Sequence, residues 1–235
     1  MTLRTATLRA ARMLTPKVRA LTLDPGPGYL WTPGQFAPLK LPLPGAEAPL
    51  ARSYSIASIP RAAGCFDLAV THVEDGPGSS FLRAMAPGDT LDVAPPMGFF
   101  TLDPASALPR LFVATGTGLA PLWAMLQGAL ARGETVPTTV LLGVRTEGDL
   151  LYRDALEPLA AAHPWLTFAP TLSRPDAPWS GRTGYVQTHL PELVASLGEC
   201  DAYVCGLSPM IRAVRAVLKE TLGFPRARIH TERYD

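Results

Sequence analysis

The hydrophobic pattern of this 235-residue chain changes between residues 103 and 108, and that change limits the folds it can adopt. Before it, apolar and polar residues alternate over short segments that are separated by clusters of Pro and Gly. After it, nearly continuous apolar runs alternate with segments whose apolar residues recur at helical spacing. Two hydrophobic periods in succession predict two structural units of different class.

The first half has the pattern of a small all-β domain. Four alternating segments are bounded by turn residues: "KVRALTL", "FAPLKL", "CFDLAV" and "DTLDVA". In "CFDLAV" the alternation directs Phe66, Leu68 and Val70 inward and Asp67 towards water. Short strands at regular spacing predict an antiparallel barrel through about residue 103, with "KVRALTLD" as its first strand.

The second half has the pattern of an α/β domain. Five strand-like runs occur in order: "RLFVATG", "TTVLLGVR", "LTFAPTLS", "DAYVCG" and "ARIHTERY". The first four are nearly continuous in apolar residues, as strands buried on both faces require. Helical segments lie between the runs, and in the last of them Ser208 is a candidate cap, with Pro209 at the first helical position. The pattern predicts a doubly wound, five-stranded parallel sheet with flanking helices from about residue 108, with "TLDPASALPR" as the linker.

Composition excludes several function classes. A net charge of +1 gives no electrostatic argument for a nucleic-acid partner. Cys65, Cys200 and Cys205 are too few and too scattered for an iron–sulfur cluster or a disulfide framework, and such usage suits the cytoplasm. No apolar run approaches the ~18 residues of a membrane span. The four histidines lack metal-ligand spacing, so we expect no metal site.

Two glycine-containing turns have the composition of anion-binding sites. In "VATGTGLAP" a strand leads into Gly116–Gly118, and a helix begins near Pro121, so free backbone N–H groups and the helix N-terminus could hold a phosphate. In "DGPGSS" the residues from Gly76 to Ser79 form a turn, with Ser79 as the predicted cap of a helix that starts at Ser80. In isolation, the first turn is as typical of a plain strand-to-helix connection as of an anion-binding site. The second turn is more typical of a plain connection than of such a site.

The stretch "ARSYSIAS" (51–58) departs from simple barrel alternation. Tyr54 has the shape to stack on an aromatic ring system, Arg52 can reach a phosphate, and Ser55 can hydrogen-bond to a ring nitrogen. Taken alone, the stretch is more typical of ordinary barrel residues with a solvated arginine.

In this order, the motifs together resemble those of the ferredoxin–NADP reductase-like flavoproteins. The motifs that carry the resemblance are "RSYS" (52–55), "GPGS" (76–79), "PPMGFF" (95–100), "GTGLAP" (116–121), "CGLSPM" (205–210) and "ERY" (232–234). The resemblance covers essentially the whole chain. It implies an N-terminal antiparallel flavin-binding β-barrel (1–103), a doubly wound parallel-sheet NAD(P)-binding domain (108–235), and FAD in the cleft between them.

The resemblance also implies the site residues. For FAD it implies Arg52, Ser53, Tyr54, Ser55, Ala69, Val70, Thr71, Gly76, Pro77, Gly78, Ser79, Thr117 and Tyr234. For NAD(P)H it implies Gly116, Thr117, Gly118, Pro121, Val144, Arg145, Ser173, Arg174, Arg182, Tyr185, Cys205, Gly206 and Met210. Ser55, Cys205 and Glu232 are the implied catalytic residues. Because Asp235 follows Tyr234, the sequence leaves open whether this tyrosine covers the flavin ring.

The implied activity is that of an NAD(P)H:acceptor oxidoreductase. Hydride would pass from nicotinamide to bound FAD, and electrons would pass on to ferredoxin, flavodoxin or an oxygenase component. Two alternatives stay open: a reductase that uses free flavin as a substrate, and a non-catalytic electron-transfer subunit of a larger complex. The expected partners are therefore NAD(P)H and a small redox protein, with no nucleic acid and no membrane.

One segment bears on nucleotide choice. Tyr185 follows the Ser173-Arg174 pair at the separation seen in the 2′-phosphate site of plant-type reductases. Arg174 and Arg182 offer donors that suit a phosphate dianion, whereas Thr183 stands where that family has a lysine. The sequence therefore predicts a preference for NADPH over NADH.

Overall fold

A computed structural model of the chain describes residues 2–176 and 178–234. The chain divides into two compact units. The barrel unit comprises the residues up to Leu102 together with Trp123–Gly128, and the α/β unit comprises Asp103–Leu122 and the residues from Ala129 onwards. Within the described ranges, no helix is long and apolar enough to cross a membrane.

The barrel unit contains six antiparallel strands and one helix. The strands are β1 (Arg4–Thr15), β2 (Val18–Asp24), β3 (Phe36–Leu41), β4 (Leu50–Ser55), β5 (Phe66–Thr71) and β6 (Thr90–Val93), and the helix is α1 (Pro77–Ala84). They pair in the order β4-β3-β6-β1-β2-β5. An isolated antiparallel bridge between Ile56 and Leu68 joins the end of β4 to β5, and Ala57 N–H donates to the Asp67 carbonyl at 2.8 Å. This bridge closes the sheet and confirms the predicted antiparallel barrel.

The barrel core follows the predicted alternation of β5. Phe66, Leu68 and Val70 are buried, while Asp67 pairs with Arg61 near the surface. Tyr29 stacks on Phe66 with ring centroids 5.2 Å apart. Apolar side chains on alternate positions therefore hold this strand against the barrel interior.

Two local predictions in the barrel unit are wrong. "KVRALTLD" is the second strand, because the longer β1 precedes it and pairs with it from Thr7↔Asp24 to Thr15↔Val18. Ser79 is not a helix cap, because α1 begins at Pro77 with Gly76 as its N-cap. Proline is pre-organised for the first helical turn, which explains the earlier start.

The α/β unit contains six parallel strands. They are β7 (Arg110–Thr115), β8 (Thr138–Val144), β9 (Leu166–Leu172), β10 (Arg182–Thr183), β11 (Asp201–Gly206) and β12 (Ile229–Arg233). The strand order is β10-β9-β8-β7-β11-β12. The chain winds outward from β7 to β10 and then returns to β11 on the other side of β7, which is the predicted doubly wound arrangement.

The helices of this unit connect the strands. The long helices are α2 (Leu119–Ala131), α3 (Arg153–Ala162), α4 (Leu190–Leu197) and α5 (Ser208–Ala216). Short 3₁₀ turns span Gly116–Gly118, Glu147–Asp149, Val186–His189 and Arg226–Arg228, and a π-helical turn spans Val217–Thr221. The middle of α2 belongs by its contacts to the barrel unit.

Two predictions for the α/β unit need correction. The sheet has six strands rather than five, because Arg182 and Thr183 pair with Thr171 and Leu172. A strand of two residues is too short to show a hydrophobic period. Helix α5 begins at Ser208 with Leu207 as its N-cap, one residue earlier than predicted.

Candidate functional site

Strand β4 presents the "RSYS" residues at an edge of the barrel sheet. It pairs with β3 alone along its length, with Ala37 opposite Tyr54 and Phe36 opposite Ser55. Arg52 and Ser53 are exposed, Tyr54 is half-buried, and Ser55 is buried. Burial raises the pKa of the Tyr54 hydroxyl above its ordinary value, and the nearby charge of Arg52 opposes that shift. The strand thus offers an exposed cation, a neutral aromatic ring and a buried hydroxyl in succession.

The N-terminal turn of α1 lies against Arg52. A Cβ added at Gly78 would lie 3.3 Å from Arg52 Cγ and 3.3 Å from Leu41 Cδ1, so a side chain at this position would fill the space. Ser79 Oγ accepts a hydrogen bond from the Val73 N–H at 3.1 Å. The turn therefore combines a helix N-terminus, free of side-chain bulk, with a guanidinium, and this combination fits a pyrophosphate.

The residues from Ala69 to Thr71 end the other edge strand of the barrel. They pair with β2, where Ala20 is opposite Ala69 and Val18 is opposite Thr71. Ala69 and Val70 are buried, so a ligand could reach them through the backbone of the strand edge. The resemblance implies flavin contacts for these residues.

The turn after β7 lies against the end of β11. A Cβ added at Gly118 would come within 2.2 Å of the Cys205 carbonyl oxygen. Gly206 has a φ of +153°, and a Cβ there would lie 2.5 Å from Thr115 Oγ1 and 2.7 Å from Met210 Cε. Both positions require glycine. These strand ends meet where the chain changes direction across the sheet, which is where α/β folds bind nucleotides.

Tyr234 is also held at this place. Its hydroxyl donates to the Thr117 carbonyl at 3.0 Å, and its N–H donates to the Gly206 carbonyl at 3.3 Å. The tyrosine therefore spans the glycine turn and the Cys-Gly segment, both within the α/β unit. Pro121, in the first turn of α2, is buried below the turn.

Cys205 and Glu232 are opposite each other in the β11–β12 register. Burial raises the pKa of the Cys205 thiol far above its ordinary value, a hydrogen bond from Tyr234 lowers it, and the charge of Glu232 raises it further. Cys205 is therefore a neutral thiol. Such a group can pack against and orient a ligand, but it is not a nucleophile.

Three neighbouring strand ends bring the remaining NAD(P)H candidates to one edge of the sheet. Ser173 N–H donates to the Val144 carbonyl at 2.9 Å, and Arg174 N–H donates to the Arg145 carbonyl at 2.8 Å. Tyr185 lies two residues after the end of β10 and is exposed. Arg145 and Arg174 are exposed too, so this edge presents two cations beside a hydroxyl and an aromatic ring.

Arg182 differs from the other candidates at this edge. Its guanidinium donates to Glu192 Oε1 at 2.8 Å. It is paired with Thr171, two positions before Ser173 in β9. Arg182 is thus engaged by a carboxylate of α4, whereas no ion pair is formed by Arg174 within residues 2–176 and 178–234.

The residues that hold β10 in place were not predicted from the sequence. Thr171 is fully buried and its hydroxyl donates to the Gly184 carbonyl at 3.1 Å. His189 Nε2 lies 3.0 Å from Thr171 Oγ1 and 3.1 Å from the Thr183 carbonyl oxygen. These contacts fix the backbone that leads to Tyr185. A lone threonine and a lone histidine have no motif spacing, so no sequence signal marked them.

Comparison with known proteins matches each half of the chain to a domain family. Residues 12–102 match the oxidoreductase FAD-binding domain family, and residues 112–216 match the oxidoreductase NAD-binding domain family. Fold and family agree on an oxidoreductase that binds FAD and a nicotinamide dinucleotide and transfers electrons between them.

A relative that is matched over nearly its full length identifies the family more closely. Ferredoxin–NADP reductase B of Sorangium cellulosum (strain So ce56) is 46% identical over 238 residues, covering 98% of this chain and 97% of that protein. The chain belongs to the ferredoxin–NADP reductase family. It is also 32% identical over 203 residues to the toluate 1,2-dioxygenase electron transfer component of Pseudomonas putida, of which it spans 58%.

A solved structure shares the fold over the full length. The ferredoxin–NADP⁺ reductase of Neisseria gonorrhoeae, crystallised with bound FAD and NADP, superposes with a TM-score of 0.86 at 20% identity and covers 100% of both chains. This likeness confirms the predicted fold of an antiparallel flavin-binding barrel followed by a parallel-sheet nucleotide-binding domain.

The glycine turn generates the first prediction. Gly118→Ala should lower kcat/KM for NADPH and NADH alike by about 10- to 100-fold, because the added Cβ must displace the turn or the Cys205 backbone. Steady-state kinetics would measure this loss. Gly148→Ala is the matched control, since no atom lies within 4 Å of its added Cβ. Wild-type efficiency in a folded Gly118→Ala protein would contradict the assignment.

The buried thiols generate the second prediction. Burial raises the pKa of Cys200 to about 11 and that of Cys205 further, so N-ethylmaleimide at neutral pH should modify at most Cys65, which is partly exposed. Intact-protein mass spectrometry would show a single adduct, none in Cys65→Ser, and three after unfolding. Because folding raises the pKa of both thiols, their contribution to the free energy of unfolding is complete below pH 9.0. This contribution is lost as the pH rises above that value. Rapid native modification of Cys205 would refute the neutral-thiol assignment.

Proposed function

We propose that the chain is an NADPH-dependent reductase that retains FAD and passes electrons to a small redox protein. The observation that carries the proposal is the backbone approach of Gly118 to Cys205, with Tyr234 bonded to both segments. These two segments together offer backbone N–H donors for a phosphate and a neutral, apolar surface for a nicotinamide. The relatives named for ferredoxin and for toluate dioxygenase support a redox-protein acceptor.

We further propose the two domains that were predicted from the sequence, in which residues 1–103 bind FAD and residues 108–235 bind NAD(P)H. The two family matches lie inside these ranges. A cytoplasmic location is consistent with three cysteines that are all free.

The FAD would be held mainly by the barrel unit. Arg52 and the turn of Gly76, Pro77, Gly78 and Ser79 would bind its phosphates, and the spacing of Gly78 to Arg52 fits that role. Tyr54 would stack on the ring, and Ser53, Ala69, Val70 and Thr71 would contribute edge contacts. When bound, FAD supplies a ring nitrogen that accepts hydride from a nicotinamide.

The side chains of this protein would hold a proton near the flavin ring and orient the nicotinamide. Ser55 is a buried hydroxyl beside Tyr54, so it can hold a proton near the flavin ring nitrogen. Glu232, opposite the buried Cys205 in the β11–β12 register, would exchange a proton with solvent. Cys205, Met210 and Thr117 would orient the nicotinamide by packing, because hydride transfer requires close and defined ring placement.

The test of this function uses Ser55→Ala. Anaerobic mixing of the FAD-loaded variant with NADPH should show flavin reduction slowed by about 100-fold or more, since a positioned proton donor contributes that much to many enzymes. Stopped-flow absorbance measures it without any acceptor. Ser196→Ala, on the exposed surface of α4, is the control. A wild-type rate in Ser55→Ala would remove Ser55 from the catalytic set.

The preference for NADPH rests on the cations at the strand ends. Arg174 and Arg145 are exposed beside Ser173 and Tyr185, and this arrangement complements a 2′-phosphate. Arg182 can contribute only through donors that Glu192 does not occupy. The acidic Asp176 near Arg174 in the chain offsets part of the charge.

Nucleotide kinetics test this preference. Arg174→Ala should raise KM for NADPH about 10- to 100-fold, which corresponds to about 1.5–3 kcal/mol for a hydrogen bond to a charged group, and leave KM for NADH unchanged. Arg226→Ala removes an exposed arginine elsewhere in the same unit and should change neither. Equal use of both nucleotides by the wild type, or equal losses in Arg174→Ala, would reject the preference.

A further inference from the structure

Arg19, near the start of β2, connects helix α1 to the barrel sheet. Its Nη1 group donates to the Leu82 carbonyl at 3.1 Å and to the Arg83 carbonyl. Both carbonyls lie in the last turn of α1, where C=O groups lack partners within the helix. The guanidinium therefore caps the C-terminal end of α1 from another element of the same unit, and its charge complements the helix dipole.

Helix α1 depends on such tertiary contacts because it has only eight residues. Isolated helices shorter than about 12 residues are marginal in water. Its N-cap is Gly76, which has no side chain that could bond to the first N–H groups. Leu82 and Met85 are buried and pack in the barrel core. Apolar packing thus holds the inner face of α1, and Arg19 fixes its C-terminal end by polar contacts.

The strand that carries Arg19 is itself held on both sides. Arg19 is opposite Met13 of β1 and opposite Val70 of β5 in the two antiparallel registers. Val70 belongs to the strand edge that is proposed to contact the flavin ring. Arg19 therefore connects that strand to the helix whose N-terminal turn is proposed to bind the flavin phosphates.

The packing around this contact leaves little room for α1 to move. A cavity of about 10 Å³ lies between the helix and the strands, and Arg19, Val70, Ser79 and Leu82 are among the residues that line it. This volume is about that of one water molecule. Loss of the guanidinium would enlarge the cavity and allow α1 to shift, because neighbouring groups fill such a space only in part.

Arg19 can act on the phosphate turn through position more than through its own charge. At about 1.5 Å per residue, the eight residues of α1 extend about 12 Å, so its two ends are far apart. This length exceeds the Debye length of about 8 Å at physiological ionic strength. A shift of the helix, in contrast, would move the N–H groups of residues 76–79 away from the phosphates. Donors that are already in place cost least on binding.

We propose that Arg19 is a positioning residue for FAD. It holds the phosphate-binding turn at the distance from the ring-binding strand that one FAD molecule requires. The inference rests on the proposed function, in which residues 76–79 bind the phosphates and residues 69–71 contact the ring. It assigns to Arg19 a part in the retention of flavin, the property that separates a flavoprotein from a reductase that uses free flavin as a substrate.

The test compares the affinities of the full-length protein, freed of flavin, for FAD and for riboflavin, which has the ring but no phosphate. Arg19→Met removes the donors and keeps an unbranched side chain. It should raise Kd for FAD about tenfold, which is within the cost of losing a hydrogen bond from a charged group. Kd for riboflavin should not change. Quenching of flavin fluorescence measures both.

Salt separates position from charge. At about 1 M salt the Debye length falls to about 3 Å. The ratio of Kd for FAD between Arg19→Met and the wild type should stay the same, because a displaced helix is not restored by screening. Disappearance of the difference at high salt would make Arg19 a long-range charge and would overturn the positioning role.

Arg19→Lys is the conservative variant. Both hydrogen bonds come from one nitrogen atom, so an ammonium group can donate to the same two carbonyls. This variant should recover most of the affinity for FAD. Arg12→Met is the matched control, because Arg12 is an exposed arginine of the adjacent strand β1, and it should bind both flavins as the wild type does.

The outcomes distinguish the inference from the proposed function. Equal losses for FAD and riboflavin in Arg19→Met would show a role in folding alone and would overturn the inference, as would wild-type affinity for FAD in the folded variant. If Arg19→Met does not fold, Arg19→Gln decides by the same comparison, because its shorter side chain reaches less far. If the wild type binds FAD no more tightly than riboflavin, the phosphate turn of the proposed function fails, and the role of Arg19 fails with it.

Discussion

The close approach of Gly118 to the Cys205 carbonyl is the contact on which the nucleotide end of the α/β unit depends. Because the glycine has no Cβ, the turn after β7 can lie directly on the end of β11. Gly206 needs its unusual backbone conformation to let Thr115 and Met210 close over the same place. Tyr234 then bonds to carbonyl groups on both sides. A side chain at either glycine would separate these segments, and the proposed placement of the nicotinamide would be lost with them.

The barrel unit depends in a similar way on one contact that closes its sheet. The bridge from Ile56 to Leu68 ties the end of β4 to β5, so the two edge strands that carry the flavin candidates are held in one small sheet. Gly78 then lets the first turn of α1 approach Arg52. In both units, the residues that contact the proposed ligands lie at strand ends and edges, and the buried apolar positions keep those ends in register.

Much of this arrangement could be predicted from the sequence, because it rests on hydrophobic period and on motif order. The alternation of Phe66, Leu68 and Val70 predicted a barrel strand, and the strand-like segments after residue 108 predicted five of the six parallel strands. Strand β10 could not be predicted, since two residues have no period and its position depends on Thr171 and His189 from elsewhere in the chain. The start of α1 was mispredicted because a serine cap was preferred to a proline in the first turn.

The roles of single side chains were harder to predict than the fold. Arg174 and Arg182 are the same type of residue, yet of these two only Arg182 is paired with a carboxylate among the described residues. Partners of this kind are set by tertiary packing, which a linear charge pattern does not contain.

The central claim is that a nicotinamide gives hydride to FAD held by this chain. The most direct test is anaerobic stopped-flow mixing of the purified yellow protein with NADPH and with NADPH deuterated at the transferred position of C4. The account predicts that the flavin absorbance bleaches within the turnover time and that deuteration slows the bleaching. Purification without flavin, or a flavin that NADPH and NADH fail to reduce, would contradict the account.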